Sequence, residues 1–225
     1  DEIAFGVTTN STGKFTYTYG TQLPNVDQFF LGKSTLTTNS FTLTGTLNVL
    51  IAARDAGVRR FVYAGSSSVY GDQPELPKRE TMAPRPKSPY ALTKLAGEIY
   101  CTQYHELFGL PTVTLRYFNV FGPRQNPESL YAAVIPRFIL AALTGEAPHV
   151  YGDGGQTRDF TYIENVVEAN LLALEADPAR VGGAVLNIAC GDRISLVDLI
   201  EILSRLAGRP VTPIFEPARA GDVRD

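Results

Sequence analysis

Tyr90 and Lys94 stand four residues apart in the run Ser88-Pro89-Tyr90-Ala91-Leu92-Thr93-Lys94, and a serine-rich stretch, Ser66-Ser67-Ser68-Val69-Tyr70-Gly71, precedes them. If the chain is helical after Pro89, positions i and i+4 share a face, so a phenol and an ammonium lie side by side. A hydroxyl can join them from a strand end. A free tyrosine titrates near pH ~10 and is a poor base at neutrality. A neighbouring cation favours the phenolate. Bringing the titration down to about pH 7 takes roughly 4 kcal/mol of differential stabilisation, which an ammonium in a cleft can help supply, and the result is a general base. A Tyr-x-x-x-Lys pair by itself is common on helices, where it is a half-buried ring beside a solvated amine. The serine run by itself is an ordinary strand-end loop. The order strand, serine loop, Pro, Tyr, Lys is what points to chemistry.

The elements needed to hold these groups are legible from periodicity. Thr44 to Ala56 is apolar at helical spacing and stops near Gly57. Arg60 to Ala64 reads as a short buried strand, Gly71 to Pro89 as a proline-rich loop, and Tyr90 to Phe108 as a helix closed by Gly109. Strands are expected at Thr112 to Tyr117, Ala184 to Ala189 and Val211 to Phe215, with a short extended piece at Asp159 to Tyr162. Helices are expected at Tyr131 to Leu143, Ile163 to Glu175 and Ser195 to Ala207, and a loop at Asn119 to Pro127. Alternating strands and helices predict an α/β fold on a parallel sheet, with ligands beyond the carboxyl ends of the strands. The serine run follows one such end and Asn119 another.

The first 43 residues differ in character. They are rich in Thr, Asn and Phe and hold no arginine; the first is Arg54. Lys14 to Tyr19 alternates polar and aromatic residues, as a half-exposed strand does. Gly13-Lys14 fails as a phosphate loop because Thr8 and Phe15 stand where glycine and a hydroxyl residue are required.

With 225 residues, 44% hydrophobic and 19% charged, the composition is that of a globular protein of one large or two small domains. The net charge of -3 argues against a nucleic-acid partner or an anionic membrane surface. No apolar run has membrane-spanning length, and no leader peptide is visible. Cys101 and Cys190 read as two buried thiols of a reducing, cytoplasmic compartment. His105 and His149 share no ligand spacing with them, so no metal is expected.

The motifs together resemble the extended short-chain dehydrogenase/reductases, and within them the UDP-sugar 4-epimerases. The likeness rests on T-G-T-L-N-V-L at 44–50, F-V-Y-A-G-S-S-S-V-Y-G at 61–71, S-P-Y-A-L-T-K at 88–94 and L-R-Y-F-N-V-F-G-P-R-Q at 115–125. It continues through Y-A-A-V-I-P-R-F at 131–138, Y-G-D-G-G-Q-T-R-D-F-T-Y-I-E-N at 151–165, N-I-A-C-G at 187–191 and R-A-G-D-V at 219–223. The resemblance implies a Rossmann-like doubly wound parallel sheet with a small substrate-binding portion. It implies a partial NAD-binding core at 44–120 and a UDP-sugar-binding portion at 121–225, with Rossmann elements returning near 159–190. Tyr90 would be the base on the sugar 4-hydroxyl, Lys94 would hold the nicotinamide ribose and acidify Tyr90, and Ser66 would bond the same sugar oxygen, assisted by Ser68. Phe118 would lie near the nicotinamide. Asn119 would bind a phosphate or sugar oxygen, Tyr151 the uracil, and Arg158 and Arg219 the pyrophosphate, a task for which the flat, always-charged guanidinium is suited. The serine loop carries no carboxylate, which favours epimerisation, or a keto-reductase using the hydride step once, over dehydration or decarboxylation. A homodimer through the helices at Leu47 to Ala56 and Tyr90 to Phe108 is implied as well.

The pattern departs from that family at the front. A strand leading into a G-x-x-G-x-x-G turn, which holds a dinucleotide pyrophosphate at a helix N-terminus, is missing, and Thr42 stands where an asparagine is usual. The expectations are a family core from about Leu43 to Val223 joined to an unrelated leading segment, an open sheet edge, and weak NAD retention. A catalytically silent UDP-sugar-binding protein is the competing reading.

Overall fold

The computed structural model describes residues 8–9, 15–16, 29–31, 39–125 and 134–218, with side chains described from Gly45 onward. Strands β1 (Thr8–Thr9) and β2 (Phe15–Thr16) pair antiparallel. After them come β3 (Phe29–Leu31), α1 (Asn39–Asp55) and β4 (Phe61–Ser66), which runs into one 3-10 turn, Ser67–Tyr70. Next are α2 (Pro89–Phe108), β5 (Thr112–Tyr117), β6 (Asn119–Phe121), α3 (Val134–Thr144) and β7 (His149–Tyr151). β8 (Thr157–Arg158), β9 (Phe160–Tyr162), α4 (Ile163–Glu175), α5 (Pro178–Val181) and β10 (Ala184–Ile188) follow. β11 (Ile194–Ser195), α6 (Leu196–Ala207) and β12 (Ile214–Glu216) close the described chain.

The main sheet has the order β10-β5-β4-β3 and is parallel throughout. β4 and β5 are buried along nearly their whole length, as parallel strands covered on both faces must be. Alternation divides their side chains. Phe61 and Tyr63 face α1 and α2 in a core with Leu50, Ala53, Cys101 and Tyr104. Val62, Val113 and Leu115 face α4 through Ala173. The sheet is therefore wound on both sides, an α/β fold of Rossmann type. Its strands end abreast: Ser66 pairs with Tyr117, and Tyr117 with Ile188. This edge carries the catalytic candidates.

A second cluster is built from α3, α6, β7 and their neighbours around Ile135, Phe138, Val150, Leu199 and Ile200. Here the sheets are two-stranded: β12-β7, β11-β8 and β6-β9.

Four expectations are corrected. Asn119 to Phe121 is not loop but β6, pairing in parallel with β9; three residues are too few to leave a periodic signal. The strand expected at Arg60 to Ala64 extends through Ser66, because Gly65 packs without room for a side chain on the Leu115 carbonyl and the pairing with β5 continues. The last strand starts at Ile214 rather than Val211, since Pro213 has no N–H for a ladder, whereas Ile214 N–H donates to the Pro148 carbonyl at 2.9 Å. Cys190 is exposed, in the loop after β10, and only Cys101 is buried. β3 covers the first half of β4, Phe61 to Tyr63, so the expected open edge is shortened there and β3 is the outer strand on that side among the described residues.

Candidate active site

α2 is fixed at both ends by local chemistry. Ser88 caps it, its Oγ accepting the Ala91 N–H at 3.1 Å, and Pro89 occupies the first turn with a preset φ. Gly109, at φ 68°, ends it in the left-handed conformation. Tyr90 and Lys94 thus share the first two turns and one face. The Lys94 ammonium lies 5.8 Å from the centre of the Tyr90 ring.

Lys94 is buried, and its Nζ donates to the Ala64 carbonyl of β4 at 2.9 Å, with the Tyr63 ring 5.4 Å away. The carbonyl and the two rings compensate a charge that would otherwise be costly to bury. Gly97 permits this approach: a Cβ there would meet the Tyr63 hydroxyl at 2.2 Å. The two tyrosines beside the ammonium differ. Tyr63 is 3% exposed, and burial, then the nearby Cys101, push its phenol well above the ordinary value. Tyr90 is 37% exposed, so it is the phenol a substrate can reach.

Ser66 is the last residue of β4. Its Oγ accepts the Ser68 N–H at 3.2 Å and the Ser68 hydroxyl at 2.9 Å. The Ser66 hydroxyl can both accept these bonds and donate its own proton. Phe118 is half-buried between β5 and β6, its N–H on the Ile188 carbonyl at 3.1 Å. Asn119 uses its backbone N–H (3.1 Å) and its Nδ2 (3.2 Å) on the Asp159 carbonyl. Ser66, Ser68, Tyr90, Lys94, Phe118 and Asn119 therefore sit on or next to the elements that meet at the carboxyl edge of the sheet.

The substrate-side candidates stand on other elements. Arg158 is half-buried on β8, Nη1 on the Thr157 carbonyl at 2.7 Å, and is joined to the sheet edge through its neighbour Asp159, which anchors Asn119. Tyr151 ends β7, half-buried, its carbonyl accepting from Gln156 Nε2 at 2.7 Å. Arg219 and the loop 126–132 lie outside the described residues. A cavity of about 400 Å³ lies between Pro123, Arg124 and the first turns of α4, and takes in none of Ser66, Tyr90 or Lys94.

Sequence reasoning missed two sets of supporting residues. Asp159 accepts the Cys190 N–H (3.0 Å) and the Gly191 N–H (2.8 Å) on its carboxylate, tying the loop after β10 to β8. Glu98, Arg116 and Tyr70 form a buried polar chain that ends on the half-buried Asn187, and Tyr70 closes the serine turn. One signal was present for the latter: Glu98 falls four residues beyond Lys94, on the buried face of α2, where a carboxylate demands a cation.

The model of the NAD dependent epimerase/dehydratase family matches residues 33–189. A UDP-glucose 4-epimerase of Mycolicibacterium smegmatis is 40% identical over 181 residues, covering 80% of this chain and 56% of the relative. Among solved structures, a UDP-N-acetylglucosamine 4-epimerase from Methanobrevibacter ruminantium, in complex with UDP-N-acetylmuramic acid, superposes with a TM-score of 0.79 at 40% identity, over 83% of this chain and 59% of that one. A UDP-glucuronic acid 4-epimerase from Bacillus cereus, bound to UDP-glucuronic acid and NAD, gives 0.75 at 36% identity, over 81% and 56%. The chain spans little more than half the length of these relatives.

Proposed function

Because the chain belongs to the NAD dependent epimerase/dehydratase family, we propose that it serves NAD-dependent epimerisation at C4 of a UDP-hexose, through a transient 4-keto sugar. The observation that carries this reading is the Lys94 ammonium of α2, buried on the Ala64 carbonyl near the end of β4 and 5.8 Å from the centre of the accessible Tyr90 ring. These residues fit the reacting end of a nicotinamide cofactor: an ammonium for the ribose hydroxyls and Phe118 at the strand end for the ring. When bound, that cofactor would accept and return the C4 hydride. Tyr90 would take the proton from the sugar 4-oxygen and give it back, helped by the ammonium's stabilisation of the phenolate. Ser66 would donate to the same oxygen. Asn119 and Tyr151 would hold the nucleotide and sugar, and Arg158 with Arg219 the pyrophosphate. We read 44–120, with β10, as the cofactor half and 121–225 as the main substrate portion. Leu92, Ile99 and Leu107 lie exposed along α2, which supports pairing of two copies through that helix. No described helix is long and apolar enough to cross a membrane.

The test is product analysis with NAD in excess and UDP-glucose or UDP-N-acetylglucosamine as substrate. The expected product is the C4 epimer, with Tyr90→Phe about 10²–10⁴-fold slower. UDP binding without interconversion would select the silent sugar-nucleotide binder, and a dehydrated or reduced product would replace epimerisation.

A further inference from the structure

One guanidinium touches both elements that carry the catalytic candidates. Arg116, on β5, binds Glu98 of α2 through Nε (2.8 Å, Oε2) and Nη2 (2.5 Å, Oε1). Its remaining Nη1 donates to the Tyr70 hydroxyl at 2.7 Å, and its guanidinium carbon lies 4.8 Å from the centre of the Tyr70 ring. The Tyr70 hydroxyl donates in turn to Asn187 Oδ1 on β10 at 2.7 Å. Tyr70 closes the 3-10 turn that starts from Ser66, and its ring is fully buried. Glu98 lies one turn beyond Lys94. The side chains of Arg116 and Glu98 are 4% and 6% exposed.

We propose that Glu98, Arg116 and Tyr70 are positioning residues that set the serine turn, with Ser66 and Ser68, in register with the Tyr90–Lys94 face of α2; this rests on the epimerase reading above. A buried ion pair is a weak source of stability, because desolvation offsets most of its attraction. An apolar trio of equal volume would fill the space as well. What it would not do is fix the rotation of a helix against a turn. The planar fork does so: two of its nitrogens fix Glu98 and the third fixes Tyr70, so neither element rotates without breaking a directional bond. Burial works against the Arg116 charge, but the contacts with Glu98 and then Tyr70 outweigh it and hold the group above its usual value.

Tyr70→Phe tests this by removing one oxygen while keeping the ring. With the wild type active, kcat is expected to fall about tenfold or more, the range for a displaced catalytic group, while KM for the UDP-sugar stays within about twofold. Arg116→Lys keeps a charge and loses the fork, and is expected to lose kcat as well. An unchanged kcat in Tyr70→Phe, or full activity in Arg116→Lys, overturns the proposal. If the wild type shows no turnover, the epimerase reading fails by itself, and hydrogen exchange decides the coupling: the Ser68 and Gly71 amides should quicken in Tyr70→Phe while those of α6 do not. Unchanged exchange at Ser68 and Gly71 overturns it.

Discussion

Two short contacts to a glutamate carboxylate mark two different ways of building this molecule. Arg116–Glu98 joins β5 to α2 with side chains 4% and 6% exposed. His149–Glu216 joins β7 to β12 with side chains 55% and 33% exposed. The first sits in a parallel sheet wound on both faces. The second sits on a two-stranded ladder beside an apolar cluster made by α3 and α6. Short contacts therefore say little about energetic weight until solvent is counted. A buried charge that loses its partner is stranded, whereas an exposed one is rehydrated. The sheet region spends its polar groups on orientation. The second region has its carboxylate contact at the surface and packs around Phe138, Leu199 and Ile200.

That contrast can be broken most sharply at Glu98. Glu98→Ala leaves a buried guanidinium without its carboxylate and is expected to cost about 3–5 kcal/mol in urea unfolding at neutral pH. A loss below about 1 kcal/mol would erase the difference between the regions. Alkali should act on the sheet region next. Burial pushes the Cys101 thiol from 9.0 to about 12, so the unfolded chain releases its proton first as pH rises. The native state then binds more protons than the unfolded one, and this contribution is complete below about pH 9 and lost toward pH 12. Cys101→Ala should flatten that decline, and at pH 8 a thiol reagent should label Cys190 and spare Cys101 in the native protein.

Smaller effects belong to the second region. Ser195 caps α6, its Oγ accepting the Asp198 N–H at 3.1 Å, and Ser195→Ala should cost about 1 kcal/mol by thermal unfolding. Glu216→Gln, at the exposed contact with His149, should cost under about 1 kcal/mol by thermal unfolding. A larger loss at Glu216 than at Glu98 would invert the comparison.

Much of the candidate site was legible because it is local. Ser88, Pro89 and Gly109 delimit α2 through bonds between near neighbours, and a helix of known limits places Lys94 over Tyr90 without further information. β5 and α4 have the limits that their apolar patterns predict, since both are long enough to show a period. β6 was illegible for the opposite reason: Asn119, Val120 and Phe121 become a strand only because β9 lies alongside. Cys190 reads as an interior thiol by residue type, and only the hydrogen bonds from the loop's N–H groups to Asp159 account for how that loop is held with the sulfur outside.

The amino-acid order by itself determined the α/β class, the caps and faces of the helices, and the identity of the Ser66, Tyr90 and Lys94 groups. These follow from interactions within a turn or two of chain, whose geometry is the same wherever they occur. The tertiary structure alone decided the partners of Arg116, which lie 18 and 46 positions away, the Asn187 that accepts the Tyr70 hydrogen bond from 117 positions away, and the strand pairing at β3 and β6. Such contacts depend on which surfaces the packed sheet brings face to face, and a buried polar group takes the partner that packing leaves within reach.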